Sequence, residues 1–193
     1  MTTVNRTAED RHISLPNLIT LARLLAVPLI VWLLIGGHYQ SAFWLVMAAG
    51  LSDALDGYIA KRFNRRTTLG AYLDPLADKA LLIGVFVALG IHGHLPSWLV
   101  ILVVSRDILI VGGALLIHTL TQRLCMAPIW LSKVNTVAQI VLAVLVLAQL
   151  GLDLALTPVV TAMIWAVALT TLASGGQYVA TWLRHLLSLE EPT

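Results

Sequence analysis

Long apolar runs alternate with short polar stretches along the whole chain, and each run is about as long as a membrane-crossing helix. A helix needs about 20 mostly apolar residues to cross the hydrocarbon core of a bilayer. Because six runs reach this length, the pattern predicts an all-α polytopic membrane protein with six transmembrane helices. We expect a polar cleft in the bundle that faces the cytoplasm. The predicted helices cover residues 15–35, 41–62, 70–91, 97–119, 129–150 and 157–187.

The two ends of the chain are short and polar. Residues 1–12 are predicted to be loose or interfacial, residues 13–187 to form one six-helix domain, and residues 188–193 to form a polar tail. The first apolar run follows Arg6 and Arg11, as a signal peptide would. It is as long as a full span and no A-x-A-like cleavage site follows it, so we expect it to be retained.

Composition excludes an ordinary soluble domain. Of 193 residues, 59% are hydrophobic and 11% are charged, whereas about 25% of the residues of a soluble domain are charged. The single cysteine, Cys125, excludes an intrachain disulfide. We expect the bilayer as a partner and no nucleic acid.

The basic residues predict the orientation in the membrane. The loops at 36–40, 92–96 and 151–156 contain no Lys or Arg. The opposite connections and the ends of the chain hold the basic residues Arg6, Arg11, Lys61, Arg62, Arg65, Arg66, Arg123 and Arg184. The positive-inside rule therefore predicts that both termini lie on the cytoplasmic side, or on the matrix side of a mitochondrial inner membrane.

Four carboxylates lie in or beside predicted spans, near the same side of the membrane. Asp53 and Asp56 are three residues apart, and Asp74 and Asp78 are four apart, so each pair lies on one helix face. Ionised groups at membrane depth are costly and usually functional. Their mutual repulsion requires a cation between them, and oxygen-only ligands suit Mg²⁺ or Mn²⁺. The sequence therefore predicts a metal site that is open to the cytosol.

Small and basic residues accompany these carboxylates. Gly57, Ala60 and Gly70 allow a ligand to approach closely, or simply allow helices to pack. Lys61 could meet a phosphate or could be an interfacial cation. A metal-binding cleft lined by cations suits phosphoryl transfer. Asp78 is the candidate general base, although spacing alone does not separate it from Asp74.

The motif D-x-x-D-G-x-x-A-K-x8-G-x-x-x-D-x-x-x-D resembles the signature of the CDP-alcohol phosphatidyltransferases, with every spacing intact. The resemblance covers about residues 13–180. One position differs from the family signature: this chain has Lys61 where the family usually has Arg. Lysine lacks the bidentate guanidinium fork, so the contact with the diphosphate would be weaker or shared with Arg62.

This resemblance implies a six-helix membrane enzyme, usually a homodimer, with two divalent ions in each active site. Asp53, Asp56 and Asp74 would hold the first ion, and Asp78 would act as base and help to hold the second. The CDP group would bind around the residues of the motif, which are Asp56, Gly57, Ala60, Lys61 and Gly70. An acceptor alcohol would attack the lipid-bearing phosphorus of CDP-diacylglycerol, and CMP would leave.

Polar residues on other predicted helices indicate the acceptor. Arg23, Arg106 and Lys133 are cations inside apolar segments, and they require anionic partners that a phosphate-bearing acceptor would supply. Possible supporting residues are Asn17, Thr20, Arg62 and Asn135. The blocks S-R-D-I-L-I, L-S-K-V-N-T and L-T-T-L-A-S are similar to those of the CMP-forming cardiolipin synthases. Phosphatidylglycerol is therefore the expected acceptor, with glycerol 3-phosphate as the alternative.

Two other classes of function remain as alternatives. A divalent-metal transporter would also place carboxylates in the membrane, but it predicts a site near mid-membrane, internal repeats and broken helices. A scaffolding bundle leaves the four aspartates unexplained. His38, His92 and His94 lie near the non-cytoplasmic ends of the spans, where we expect solvated loop side chains rather than ligands.

Overall fold

The computed structural model describes the backbone of residues 15–63, 68–121 and 130–187. It describes the side chains of residues 22–52, 77–110, 112 and 130–181. The predicted segments 1–12 and 188–193, and residues 122–127 of the predicted connection between the fourth and fifth helices, lie outside the described residues.

Every described element is an α-helix, as the apolar pattern predicts. The six helices are α1 (Leu15–Ile35), α2 (Tyr39–Phe63), α3 (Thr68–Ile91), α4 (Ser97–Thr121), α5 (Trp130–Gly151) and α6 (Thr157–Leu187). The bounds of α1 and α6, the end of α3 and the start of α4 match the predicted ones, and the remaining ends differ by one or two residues. The prediction of six helices is confirmed within the described residues, whereas the crossing of a membrane by all six stays a prediction.

Glycines end α1 and α3. Gly37 and Gly93 have φ angles of 73° and 74°, in the left-handed region that glycine adopts without steric cost. After each glycine, a histidine N–H donates to a carbonyl of the last helical turn: His38 to Leu33 and His94 to Leu89, both at 2.9 Å. These bonds satisfy carbonyls that have no partner inside the helix. We call this end of the bundle, with residues 36–38, 92–96 and 152–156, the histidine end.

The helices pack in a closed order around one apolar core. α1 contacts α2 and α3, α5 contacts α2 and α6, and α4 contacts α3 and α6. The largest fully buried apolar side chains come from α1, α3, α4 and α5: Ile30, Leu34, Phe86, Leu89, Leu99, Leu142 and Leu147. The opposite end of the bundle, where α2 ends and α3 begins, is called the motif end below.

The outer surface of the bundle is apolar, whereas several charged and amide side chains are buried. Ile91, Ile101 and Leu169 are each about two-thirds exposed or more, while Arg106 and Asp107 are buried. This reverses the arrangement of a water-soluble protein and fits lipid surroundings. By length and composition, α5 and the Thr157–Thr181 part of α6 can cross a membrane, and Ala22–Ile35 of α1 is a shorter apolar segment.

Candidate active site

The predicted motif lies on two consecutive helices. Residues 53–61 of the motif belong to the last turns of α2, and Gly70, Asp74 and Asp78 belong to the first turns of α3. The side chains of residues 53–76 lie outside the described part of the chain, and so do those of Asn17 and Thr20 in α1. Asp78, the last carboxylate of the motif, is the member whose side chain is described.

Asp78 is joined to α1 through Arg23. The Nη1 atom of Arg23 donates to Oδ1 of Asp78 at 2.6 Å. The Arg23 side chain is 3% exposed and that of Asp78 is 48% exposed. A charge-assisted bond of this length is among the strong ones in proteins. The structure therefore brings together the predicted base and one of the three predicted phosphate-binding cations, and it leaves the carboxylate accessible from outside the bundle.

A second ionic cluster follows immediately on α3. Lys79 donates from Nζ to Oδ2 of Asp107 at 2.7 Å, and Arg106 donates from Nη1 to Oδ1 of the same carboxylate at 2.8 Å. The Nη2 atom of Arg106 donates to the hydroxyls of Ser132 on α5, at 2.8 Å, and Ser174 on α6. One buried carboxylate thus pairs with two cations, and the cluster connects α3, α4, α5 and α6.

A polar seam continues between α5 and α6. The hydroxyls of Thr170 and Thr171 donate to Oδ1 of Asn135 at 2.8 Å and 2.9 Å. One turn deeper, Gln139 is fully buried, and neither end of its amide has a partner among the residues with described side chains. Hydroxyl-to-amide bonds of this kind hold helices together inside a membrane. The predicted supporting residue Asn135 therefore connects two helices.

Lys133 differs from the other two predicted phosphate-binding cations. It lies in the first turn of α5, its side chain is exposed, and it has no hydrogen bond or ion pair within the described part of the chain. Arg106 is buried, and its Nε lacks a partner among the described side chains. The structure separates these cations into one exposed and one buried position.

Sequence reasoning missed Lys79, Asp107 and Ser174 as members of one cluster. Lys79 and Asp107 were visible as charges inside apolar runs, which is the signal that could have suggested a pair. Ser174 gave no such signal, because a lone serine in an apolar helix has many possible partners.

The described residues contain no group of three or more His, Cys, Asp or Glu side chains that could hold a metal ion. Three of the four predicted ligands, Asp53, Asp56 and Asp74, lie outside the described side chains. The donor set as a whole consists of carboxylate oxygens, which suits a hard divalent cation.

A family model described as CDP-alcohol phosphatidyltransferase matches residues 13–173. The chain belongs to the CDP-alcohol phosphatidyltransferase family. The match extends from α1 into α6, so it includes both helices of the motif and the ion pairs of Asp78 and Asp107. It confirms the family that the motif predicted.

Curated relatives from this phosphatidyltransferase family have two kinds of name. CDP-diacylglycerol–glycerol-3-phosphate 3-phosphatidyltransferase 1, chloroplastic, of rice is 36% identical over 86% of this chain and 56% of its own length. A cardiolipin synthase (CMP-forming) / mitochondrial hydrolase fusion protein of Schizosaccharomyces pombe is 31% identical over 91% of this chain. A probable phosphatidylglycerophosphate synthase of Mycobacterium tuberculosis is 32% identical over 91% of this chain and 85% of its own length.

The chain spans 56% of the length of the rice relative and 32% of the length of the fission yeast fusion protein. The names of these relatives divide between glycerol-3-phosphate phosphatidyltransferase or phosphatidylglycerophosphate synthase on one side and cardiolipin synthase on the other.

Proposed function

We propose that this chain transfers a phosphatidyl group from CDP-diacylglycerol to a phosphate-bearing glycerol acceptor. The observation that carries the proposal is the half-exposed carboxylate of Asp78, which ends the family motif and is held in place by the buried Arg23. A carboxylate that is fixed but accessible suits removal of a proton from an attacking hydroxyl. The motif and the family match supply the remaining support.

In the proposed reaction, the acceptor hydroxyl oxygen forms a bond to the phosphorus that bears the diacylglycerol. The bond from that phosphorus to the oxygen of CMP breaks, and CMP leaves with both electrons. Asp78 accepts the proton of the hydroxyl, while Arg23 keeps the carboxylate oriented. Gly57, Ala60, Lys61 and Gly70 would line the site for the CDP group, together with Asp56.

The motif aspartates Asp53, Asp56, Asp74 and Asp78 would hold two Mg²⁺ or Mn²⁺ ions. When bound, such ions neutralise the charge of a diphosphate and of its leaving group. Arg23, Arg106 and Lys133 would meet the phosphate of the acceptor. The Nε atom of buried Arg106 has no partner among the described side chains. This supports the assignment, because a buried donor without a partner costs free energy that a phosphate oxygen would recover.

We propose phosphatidylglycerol as the acceptor, with cardiolipin as the product. The support is the similarity of the blocks on α4, α5 and α6 to CMP-forming cardiolipin synthases, and the fission yeast relative is named as one. Glycerol 3-phosphate is the second candidate, and the names of the rice and mycobacterial relatives favour it. Both acceptors present a phosphate, so charge alone does not separate them.

Release of CMP from CDP-diacylglycerol by the purified protein tests both levels of the proposal. The reaction is run with Mg²⁺ or Mn²⁺ and with either acceptor, and a chelator serves as the metal control. We expect release with phosphatidylglycerol, and no release after chelation. Release with glycerol 3-phosphate alone would replace the acceptor and keep the chemistry. Failure with both acceptors would contradict the proposed function.

We also propose that the protein is a homodimer in a bacterial or mitochondrial inner membrane, with both termini and the active site on the cytoplasmic or matrix side. The distribution of basic residues supports the orientation. The dimer is an implication of the family resemblance.

A further inference from the structure

The cluster on Lys79 and Asp107 adjoins the proposed base without belonging to the motif. Lys79 follows Asp78 directly in α3. Consecutive residues of a helix project about 100° apart around its axis. Asp78 contacts Arg23 on α1, whereas Lys79 contacts Asp107 on α4. Adjacent residues near the start of α3 therefore form ion pairs with two different helices, α1 and α4.

These two ties together determine the rotation of α3 about its own axis at the depth of Asp78. A single ion pair would allow the helix to turn or slide while a flexible side chain followed it. Two pairs about 100° apart do not allow this, because a rotation that keeps one pair stretches the other.

Asp107 is suited to this role because it is itself rigidly held. Its side chain is 2% exposed, and each of its oxygens accepts from a different cation. Arg106 connects it to Ser132 and Ser174, so α4 is locked to α5 and α6 at the same depth. Lys79, at 29% exposed, is the more flexible partner and gains its fixed position from the carboxylate.

We propose that Asp107 is a positioning residue for the transfer reaction. Through Lys79, it fixes the rotation of α3 that presents the Asp78 carboxylate to the acceptor hydroxyl. This inference rests on the proposed function of Asp78. Lys79 and Asp107 need not touch either substrate, so we expect them to act on the chemical step and not on the binding of CDP-diacylglycerol. Misplacement of a catalytic group by about 1 Å costs about 100-fold in rate.

The test measures kcat and KM for CDP-diacylglycerol in Lys79→Met, Asp107→Asn, their double variant and Lys79→Arg. We expect each single variant to lose about 10-fold in kcat, less than the cost of a full 1 Å shift, with KM unchanged. The double variant should lose no more than Asp107→Asn alone, because both changes break the ion pair between Lys79 and Asp107, whereas only Asp107→Asn also alters the pair with Arg106. Lys79→Arg keeps the charge and should restore most of the rate.

Asp153→Asn is the matched control, since it makes the same chemical change at an exposed residue of the histidine end. Folding is checked by size-exclusion chromatography and thermal unfolding. If Asp107→Asn does not fold, Lys79→Met breaks the same ion pair from its more exposed side and decides the matter. A folded Lys79→Met protein with the kcat of the wild type would overturn the inference, as would losses that multiply in the double variant.

The activity of the wild-type protein distinguishes failure of the positioning role from failure of the proposed function. Wild-type activity with unaffected Lys79 variants rejects the positioning role alone. A folded wild-type protein that releases no CMP with any acceptor alcohol rejects the proposed function and this inference with it.

Discussion

At the scale of single residues, two ion pairs join different helices near the motif end, and a third lies within α4. Asp78 pairs with Arg23, and Asp107 pairs with both Lys79 and Arg106. Buried or partly buried charges are costly in an apolar environment unless they are paired and hydrogen-bonded. The exposure of Asp78 distinguishes it from Asp107, because only Asp78 combines a fixed carboxylate with access from outside the bundle.

Asp78→Asn tests the carboxylate as a base. The amide keeps the shape of the side chain and can still accept a bond from Arg23, but it does not take a proton at neutral pH. We expect the rate of CMP release to fall by at least about 100-fold, the lower end of what general bases contribute, while thermal unfolding shows a folded protein. Asp153→Asn serves as the control. An Asp78→Asn protein with the wild-type rate would contradict the role of Asp78.

His94 departs from the expectation of a solvated loop histidine. His38 and His92 are exposed as expected, but His94 is partly buried, and its Nε2 lies 2.8 Å from the hydroxyl of Tyr39. Burial lowers the pKa of His94 below its usual value of 6.5, and the neighbouring His92 lowers it further. The sequence indicated the loop position but did not reveal the tyrosine, which precedes the histidine by 55 residues.

The lowered pKa of His94 predicts a dependence of stability on pH. Because its pKa is lowered on folding, His94 binds a proton more tightly in the unfolded chain than in the folded chain. The contribution of neutral His94 to the free energy of unfolding is therefore fully present above pH 6.5 and is lost as the pH falls through the pKa of the folded state. Between about pH 7.5 and about pH 5.5, we expect the melting temperature to fall less in His94→Gln than in the wild type. His38→Gln is the control, and equal falls in all three proteins would contradict the prediction.

At the scale of helices, close approach matters most where α5 ends against the start of α2. A Cβ atom at Gly151 would lie 2.8 Å from the Cα of Gln40 and 2.9 Å from its backbone nitrogen. Backbone atoms cannot move aside as a flexible side chain would. Glycine at this position therefore determines how closely the two helices meet at the histidine end.

Gly151→Ala is expected to destabilise the bundle by about 1–3 kcal/mol, the usual cost of forcing an extra carbon into a packed contact. The measurement is chemical or thermal unfolding in detergent. Gly50→Ala in α2 is the control, because a Cβ there meets nothing within 4 Å. It should leave stability unchanged or raise it slightly, since alanine favours the helix. Equal stability of Gly151→Ala and the wild type would contradict the close approach.

At the scale of the whole molecule, the apolar exterior and the distribution of basic residues together predict one orientation in the membrane. The histidine end has no Lys or Arg in its three loops, whereas the other predicted connections and the segments near the chain termini contain Lys and Arg. Lys and Arg concentrate in cytoplasmic segments of membrane proteins. The proposed metal site and the proposed base would then open toward the cytoplasmic or matrix side.

Labelling with a membrane-impermeant maleimide tests this orientation. Cys125, the single cysteine, lies between α4 and α5 in the sequence, and Asp153 is an exposed residue of the loop between α5 and α6. In intact cells we expect Cys125 to be protected until the membrane is opened. A Cys125→Ser, Asp153→Cys variant should be labelled without opening it. The reverse pattern would contradict the positive-inside prediction.

The sequence by itself determined the number and limits of the helices, because a span requires a fixed apolar length and its ends are marked by glycines and polar turns. It also determined the family, because the motif depends on residue types at fixed spacings along two helices. Helical periodicity places Asp74 and Asp78 on one face without knowledge of any other helix.

Only the tertiary structure decided which charges meet. Arg23 and Asp78 are 55 residues apart, and Lys79 and Asp107 are 28 apart. Their pairing depends on the order in which the helices pack and on the rotation of each about its axis, and a pattern within a single helix contains neither quantity. The same reason explains why Arg106 could be recognised as a buried cation from the sequence, but not as the residue that joins α4 to Ser132 and Ser174.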